Sequence, residues 1–247
     1  MATFFIDKEQ ILEDEIRISG DLCHHLANVL RFQVGDEIHC SDGEAYCVDG
    51  RIIAIDKKEL TISVQRRAAL CGEAPVFITL IQCLPRGDKM DLVVRQTTEL
   101  GVGAIIPVES DNSQVRLKNK GAEKSCRWQK VADAAAEQCG RGKIPKVWEP
   151  CSLARAFDLL EDGTNIVFCY ERENAVGLRE ALQQVSGKPL AVLIGPEGGF
   201  SQREVEMILR CGGVSVTMGP RILRTETAGT AAIAAMMYEL GDWRGTD

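Results

Sequence analysis

The chain has 247 residues, 45% of them hydrophobic and 26% charged, with a formal net charge of −7. That balance suits a soluble globular protein with room for two domains. No apolar run nears the roughly 20 residues of a membrane-spanning helix. The start Met-Ala-Thr-Phe-Phe-Ile-Asp lacks a signal peptide's basic segment. Ten cysteines without a Cys-x-x-Cys pair read as reduced thiols in a cytoplasmic protein, with no metal site.

Residues 1–72 read as short strands: Thr3–Ile6, Glu15–Ile18, Asp36–Cys40, Ala45–Val48, Arg51–Ile55 and Leu60–Val64. Asp42-Gly43 and Asp49-Gly50 are hairpin-type turn signals between them. One helix interrupts, capped by Asp21, with Leu22, Leu26, Val29 and Leu30 on one face. Six short strands around a helix suggest a small barrel. Cys71-Gly72-Glu73-Ala74-Pro75 reads as the linker to a second domain over 73–247.

From Val76 strands and helices alternate. The order is strand Val76–Leu84, helix Asp88–Leu100, strand Ala104–Val108, helix Ser125–Cys139, strand Ile166–Tyr170 and helix Gly177–Val185. Strand Leu190–Ile194, helix Ser201–Cys211, strand Val214–Met218 and helix Thr227–Leu240 complete it. Alternating β and α units predict an α/β domain with a mostly parallel sheet covered on both faces.

Two segments at strand ends stand out: Leu193-Ile-Gly-Pro-Glu-Gly-Gly-Phe200 and Met218-Gly-Pro-Arg-Ile-Leu-Arg-Thr-Glu-Thr-Ala228. Loops at the carboxyl ends of parallel strands are where ligands bind, so two in consecutive units predict one cleft. Gly195, Gly198 and Gly199 allow close backbone approach, Pro196 stiffens the turn, and Ser201-Gln-Arg-Glu204 matches a capping box. A tight β–α turn without a ligand is the alternative reading. The Gly-Lys-Ser/Thr of a phosphate loop and a Rossmann Gly-x-Gly-x-x-Gly are both missing. In the second loop Ile222 and Leu223 stand between Arg221 and Arg224, as if to pack on a flat ligand. Thr225, Glu226 and Thr227 are placed to cap the last helix. Arg224 and Glu226 read either as a local salt bridge or as catalytic groups.

Charge is uneven. Residues 1–72 hold eight Lys/Arg against thirteen Asp/Glu, whereas 111–146 hold nine basic (Lys118 among them) against four acidic. A basic stretch on an acidic chain can meet phosphates, or can be a solvated face.

Several blocks resemble a known family. These are His24-His-Leu-Ala-Asn-Val-Leu-Arg-Phe-Gln-Val-Gly-Asp36, Arg95-Gln-Thr-Thr-Glu-Leu-Gly-Val102, Arg127-Trp-Gln-Lys130, Ala136-Glu-Gln-Cys-Gly-Arg141, Ile194–Gly199 and Arg221–Ala228. In this order they are similar to the RsmE-type 16S rRNA (uridine-N3) methyltransferases of the SPOUT class. The resemblance implies a PUA-like N-terminal barrel for RNA over 1–72, a trefoil-knotted methyltransferase domain over 73–247, and a homodimer. It implies S-adenosylmethionine held by Leu193, Ile194, Gly195, Pro196, Glu197, Gly198, Gly199, Met218, Gly219, Ile222 and Leu223. Arg224, Glu226 and Glu197 become the catalytic candidates. Arg31, Arg51, Arg66, Arg67, Arg86, Lys89, Arg127 and Arg141 become the RNA contacts, to 16S rRNA free or within the small ribosomal subunit. Ala232 and Ala235 of the small-residue final helix are expected at the dimer interface. A SPOUT enzyme acting on another base or a ribose 2′-hydroxyl, and an inactive RNA-binding assembly factor, are the competing readings.

Overall fold

The computed structural model describes residues 2–70, 72–116, 119–185 and 189–243. Cys71 of the expected linker and Lys118 of the basic stretch lie outside them. The chain forms two units. One is Met1–Glu73 together with Ala136–Ile144; the other is Ala74–Ala135 with Pro145–Asp247. The return segment 136–144 belongs to the first unit through specific bonds. Ser41 Oγ donates to the Gly142 carbonyl at 2.7 Å, and the Arg141 guanidinium grips Glu73 at 2.7 Å.

The N-terminal unit is a five-stranded sheet ordered β1 (Thr3–Phe5), β3 (Glu37–Ser41), β4 (Tyr46–Ile55), β5 (Glu59–Ala69), β2 (Glu15–Ser19). Only the β1–β3 pair is parallel. Alternation puts Ile16, Ile18, Ile38, Cys40, Ile52, Leu60 and Ile62 on the buried face with Leu26. Helix α1 (Gly20–His24) follows β2 and runs on as a π turn, His25–Val29. Its N-cap is Ser19, two residues earlier than the expected Asp21.

One expectation fails here. Ala45–Val48 and Arg51–Ile55 are not two strands joined by a turn at Asp49-Gly50; they are the single strand β4, with a register shift between Asp49 and Gly50. A glycine in a strand often marks a bulge or a close approach. Here it is both, because a Cβ at Gly50 would collide with the Ile62 side chain and stand 2.9 Å from the Ser63 carbonyl oxygen.

The second unit carries a six-stranded, wholly parallel sheet. Its order is β11 (Val214–Val216), β9 (Asn165–Cys169), β10 (Leu190–Ile194), β6 (Ile78–Cys83), β7 (Ala104–Val108), β8 (Lys146–Val147). The central strands are almost unbroken Val/Ile/Leu runs, as burial on both faces demands. Under one face, Ile81, Ile106, Phe168 and Leu193 pack with Leu153 and Ala156 of α4 (Leu153–Asp158) and with Val205 and Ile208 of α6 (Gln202–Arg210). The other face is covered in part by α2 (Lys89–Glu99) and α7 (Thr225–Leu240), which pack on each other, α7 also lying against β6 and β10. Helices α3 (Gly121–Cys139) and α5 (Leu178–Gln183) complete the set. Strand β8 and helix α4 carry too few residues for a periodicity to show, and the sequence reading does not contain them.

Two features of this order build the site. Strands β9, β10 and β11 are adjacent and point the same way, so the loops that follow them emerge at one edge. The chain after β11, at the sheet's margin, must also pass the ends of β9 and β10 to reach α7. Among the described residues no helix is long and apolar enough to cross a membrane.

Gly50→Val should cost about 2 kcal/mol, the usual scale of forced overpacking. Urea unfolding followed by circular dichroism should show a lower midpoint at unchanged slope. An unaltered midpoint would mean that the bulge absorbs the side chain.

Candidate functional site

The three loops after β9, β10 and β11 enclose a cavity of about 510 Å³. That is within the roughly 300–1,000 Å³ of small-molecule sites. Its floor is Ile194 and Val216, the last residues of two strands; its walls are Gly195–Gly199 on one side and Thr217–Thr225 on the other. Of the expected cofactor residues, Ile194, Gly195, Pro196, Glu197, Gly198, Gly199, Met218, Gly219, Ile222 and Leu223 all line it. Leu193 does not. Its side chain points to the opposite face, buried with Phe200 and Val205, because consecutive strand residues alternate.

The glycine loop is held from several directions. Gly199 has φ +67°, the left-handed region, and the Gly199 amide donates to the Pro196 carbonyl at 2.9 Å. The Asn112 amide donates to the carbonyls of Gly198 and Gly199 at 3.3 and 3.0 Å. Beyond the loop, Ser201 and Glu204 form the expected capping box. Glu204 is buried and also accepts from Ser110 Oγ at 3.1 Å and the Asp111 amide at 2.9 Å, which fixes the 110–113 segment beneath the loop. Glu197 accepts from the backbone amide of Arg86 at 3.0 Å. Its carboxylate therefore serves first as a staple between the β6–α2 and β10–α6 loops.

A third wall was not legible in the sequence. Cys169, the last residue of β9, and Tyr170, Glu171, Glu173 and Asn174 after it all line the cavity. Glu173 turns back on its own loop, accepting from the amides of Asn174 and Ala175 at 2.9 and 2.7 Å and from the Ser215 hydroxyl. The Ser215 hydroxyl first, and those amides after it, hold its carboxyl down at about 2. Glu171 faces Gly199 so closely that a Cβ there would stand 2.6 Å from its Oε1. No glycine or capping signature marks this stretch, so only the adjacency of β9 and β10 reveals it.

In the second loop Ile222 is 87% exposed. Arg224 is the N-cap residue of α7, and its side chain makes no cap bond. The expected Arg224–Glu226 bridge is absent. Glu226 instead binds the Lys89 ammonium at 2.8 Å, and its side chain is only 12% exposed. Burial works to raise its carboxyl, but the Lys89 hydrogen bond and charge outweigh it and leave it below the usual range. Glu226 is not in the cavity lining, and a carboxylate so stabilised is a weak proton acceptor; its expected role as a base is not what the geometry favours. The expected Thr225 cap is also replaced: its hydroxyl donates inward to the Gly195 carbonyl at 2.7 Å.

The expected RNA contacts divide by what they already hold. Arg141 is 4% exposed and spent on Glu73, which leaves its guanidinium little surface to offer a phosphate. Arg51 pairs with Glu37 at 2.9 Å, Arg66 with Asp49 at 2.6 Å, and Arg67 binds the carbonyls of Leu12 and Glu13. Arg127 bridges Asp88 and Asp91. Arg31 and Arg86 are exposed and their guanidinium groups hold no such partner among the described residues; Arg31 also has a left-handed backbone, φ 60°. Exposed pairs are worth little and can be exchanged for a phosphate.

With this geometry in view, comparison with known proteins is specific. Residues 72–237 match the model of an RNA methyltransferase domain, and residues 18–65 that of an RNA methyltransferase PUA domain. The ribosomal RNA small subunit methyltransferase E of Bacillus subtilis is 34% identical over 99% of both chains. That of Synechocystis is 30% identical over 92% of this chain and 74% of its own. The Neisseria gonorrhoeae methyltransferase E, solved bound to S-adenosyl methionine, superposes with a TM-score of 0.85 at 30% identity, over 98% of this chain and 99% of that one. The chain belongs to the RsmE-type family of small-subunit rRNA methyltransferases.

Proposed function

We propose that this protein transfers a methyl group from S-adenosylmethionine to N3 of a uridine in 16S rRNA, as a cytoplasmic homodimer. The observation that carries the reading is the cavity itself: three loops at adjacent strand ends, a floor of Ile194 and Val216, and walls rich in backbone polar groups. The fit to this cofactor rests on chemistry. Adenine needs an apolar slot with backbone donors and acceptors, which Ile194, Met218, Ile222 and Leu223 border. A sulfonium and an ammonium need carboxylate or carbonyl oxygen nearby, and Glu171 offers an exposed carboxylate with no hydrogen bond among the described residues. The site has no resemblance to a phosphate nest.

When bound, the cofactor supplies an electrophilic methyl on sulfur. The chain's own part is positioning and charge. Uridine N3 must lose its proton as the new N–C bond forms, and negative charge then spreads onto the flanking carbonyls. Arg224, exposed at the mouth and without a hydrogen bond or ion pair among the described residues, though its charge reaches Glu226, is placed to meet that negative charge with a planar array of donors. Glu197 keeps the glycine loop closed through the Arg86 amide, and Lys89 is anchored by Glu226 of the helix that follows the second loop. Arg31, Arg86, the exchangeable Arg51, Arg66 and Arg127, and the tethered Arg67 and Lys89 supply the phosphate contacts. The family reading also makes the passage from β11 to α7 part of a knot.

The dimer reading rests on α7. Thr227, Ala231, Ala234, Ala235 and Tyr238 form its outward stripe without a charge, and Tyr238 is strongly exposed. Uncharged small side chains allow two helices to approach closely. Ala232, expected at this interface, is fully buried inside its own unit and faces away from it.

Arg224→Ala should slow methyl transfer to small subunits about 100-fold, the loss typical of one transition-state donor, with cofactor affinity by calorimetry nearly unchanged. Arg224→Lys should restore only part. Equal losses in rate and affinity would assign Arg224 to the cofactor loop. In light scattering the wild type should have twice the 27.1 kDa chain mass. Ala235→Arg should give folded monomer, whereas Ala232→Arg should fail to fold. A monomeric wild type with full activity would contradict the dimer reading.

A further inference from the structure

Gln82 is the next-to-last residue of the buried strand β6, and its amide is 0% exposed, on the sheet face that α7 covers. Its amide nitrogen donates to the Cys83 carbonyl at 3.0 Å and to Thr225 Oγ1 at 2.9 Å. Thr225 Oγ1 is 2.7 Å from the Gly195 carbonyl oxygen. The direction of every proton follows. A carbonyl oxygen can only accept, so the NH₂ side of Gln82 must face Cys83. Its second proton occupies a lone pair of Thr225, and the threonine hydroxyl is left to donate to Gly195, again a pure acceptor.

The other end of the same amide is an anomaly. Gln82 Oε1 is buried without a hydrogen-bond partner. It lies where a Cβ on Gly229 of α7 would stand 2.7 Å away. A buried orphan carbonyl costs stability and calls for an explanation. So does a glycine inside a helix, where alanine is the better residue. The two costs explain each other, since Gly229 makes room for the amide that stability alone would replace with leucine.

We propose that Gln82, Thr225 and Gly229 form a positioning device for methyl transfer, which locks the start of α7, and with it Arg224, against the cofactor loop at Gly195. The device rests on the functional reading above. Gln82 is a positioning residue that acts through Thr225. It fixes the Thr225 hydroxyl toward Gly195, and Thr225 directly follows Arg224 in sequence. One rigid chain of donors thus joins the sheet, the loop that holds the cofactor and the residue that meets the substrate. Small misplacements of such groups are costly to a rate, whereas binding of the cofactor draws on many other contacts.

The test compares single-turnover methyl transfer to small subunits, cofactor affinity by calorimetry and the urea midpoint across four variants and one double variant. Gln82→Leu and Thr225→Val should each slow transfer roughly tenfold, the double variant no more than either alone, as groups acting as one unit behave. Thr225→Ser keeps the hydroxyl and should recover most of the rate. Gly229→Ala should slow transfer as Gln82→Leu does, although helix propensity alone predicts a gain in stability. The urea midpoint of Gln82→Leu should not fall with its rate. Full-speed transfer by Gln82→Leu and Gly229→Ala, additive losses in the double variant, or a rate loss matched by a stability loss would each overturn the device. Wild-type protein that binds the cofactor but transfers nothing to RNA would instead overturn the functional reading, and the device with it.

Discussion

Strand β10 lies between β9 and β6, and every one of its five residues is buried. That placement governs the site. A strand apolar on both faces can sit only in the middle of a covered sheet. Parallel pairing on either side then brings the end of β10 level with the end of β9, Ile194 opposite Cys169. The glycine loop and the Tyr170–Asn174 loop are neighbours for this reason alone. Because β11 pairs with the far side of β9, the last loop has to return across both ends, which roofs the cavity with Met218–Leu223. The binding site is a consequence of strand order, and the loop chemistry refines it.

Within that frame, polar groups are committed with economy. Glu204, Glu173 and Glu197 each spend a carboxylate on backbone amides, so three loops without regular structure are held rigid by charge-assisted bonds. Glu226 is spent on Lys89. Arg224 and Glu171 are exposed at the cavity and hold no such bond among the described residues. A preorganised site is expected to look like this: most ionic groups fix the scaffold, and a few are left for the ligand and the developing charge.

What the sequence disclosed follows from the range of the interactions involved. Strands β7 and β10 were read to the residue, because a run of apolar residues bounded by polar or glycine signals is a local property. The two cavity loops were legible for the same reason. The β9 wall was not, since its lining residues have no common type and are defined by which strand lies alongside. Asp49-Gly50 carries the letters of a tight turn, but the glycine is needed for its missing Cβ beside Ile62, a fact about β5. Arg141 and Glu226 are held by partners far off in sequence, Glu73 and Lys89, which no local pattern shows. The Leu193 side chain lies on the face away from the cavity, one residue of strand alternation from Ile194. Gln82, an isolated polar letter in an apolar run, is the one signal that could have been used, since a buried amide in a β-strand has to bond to something.

The claim on which the whole account depends is that this cavity delivers a methyl group to a uridine nitrogen. The direct measurement is mass spectrometry of nucleosides from 16S rRNA of small subunits that lack the modification, incubated with the protein and S-adenosylmethionine carrying a labelled methyl. The account predicts one labelled 3-methyluridine per subunit, with roughly a hundredth of the initial labelling rate when the Arg224→Ala variant is used. Label on a ribose 2′-oxygen, on another base, or on no nucleoside at all would contradict it.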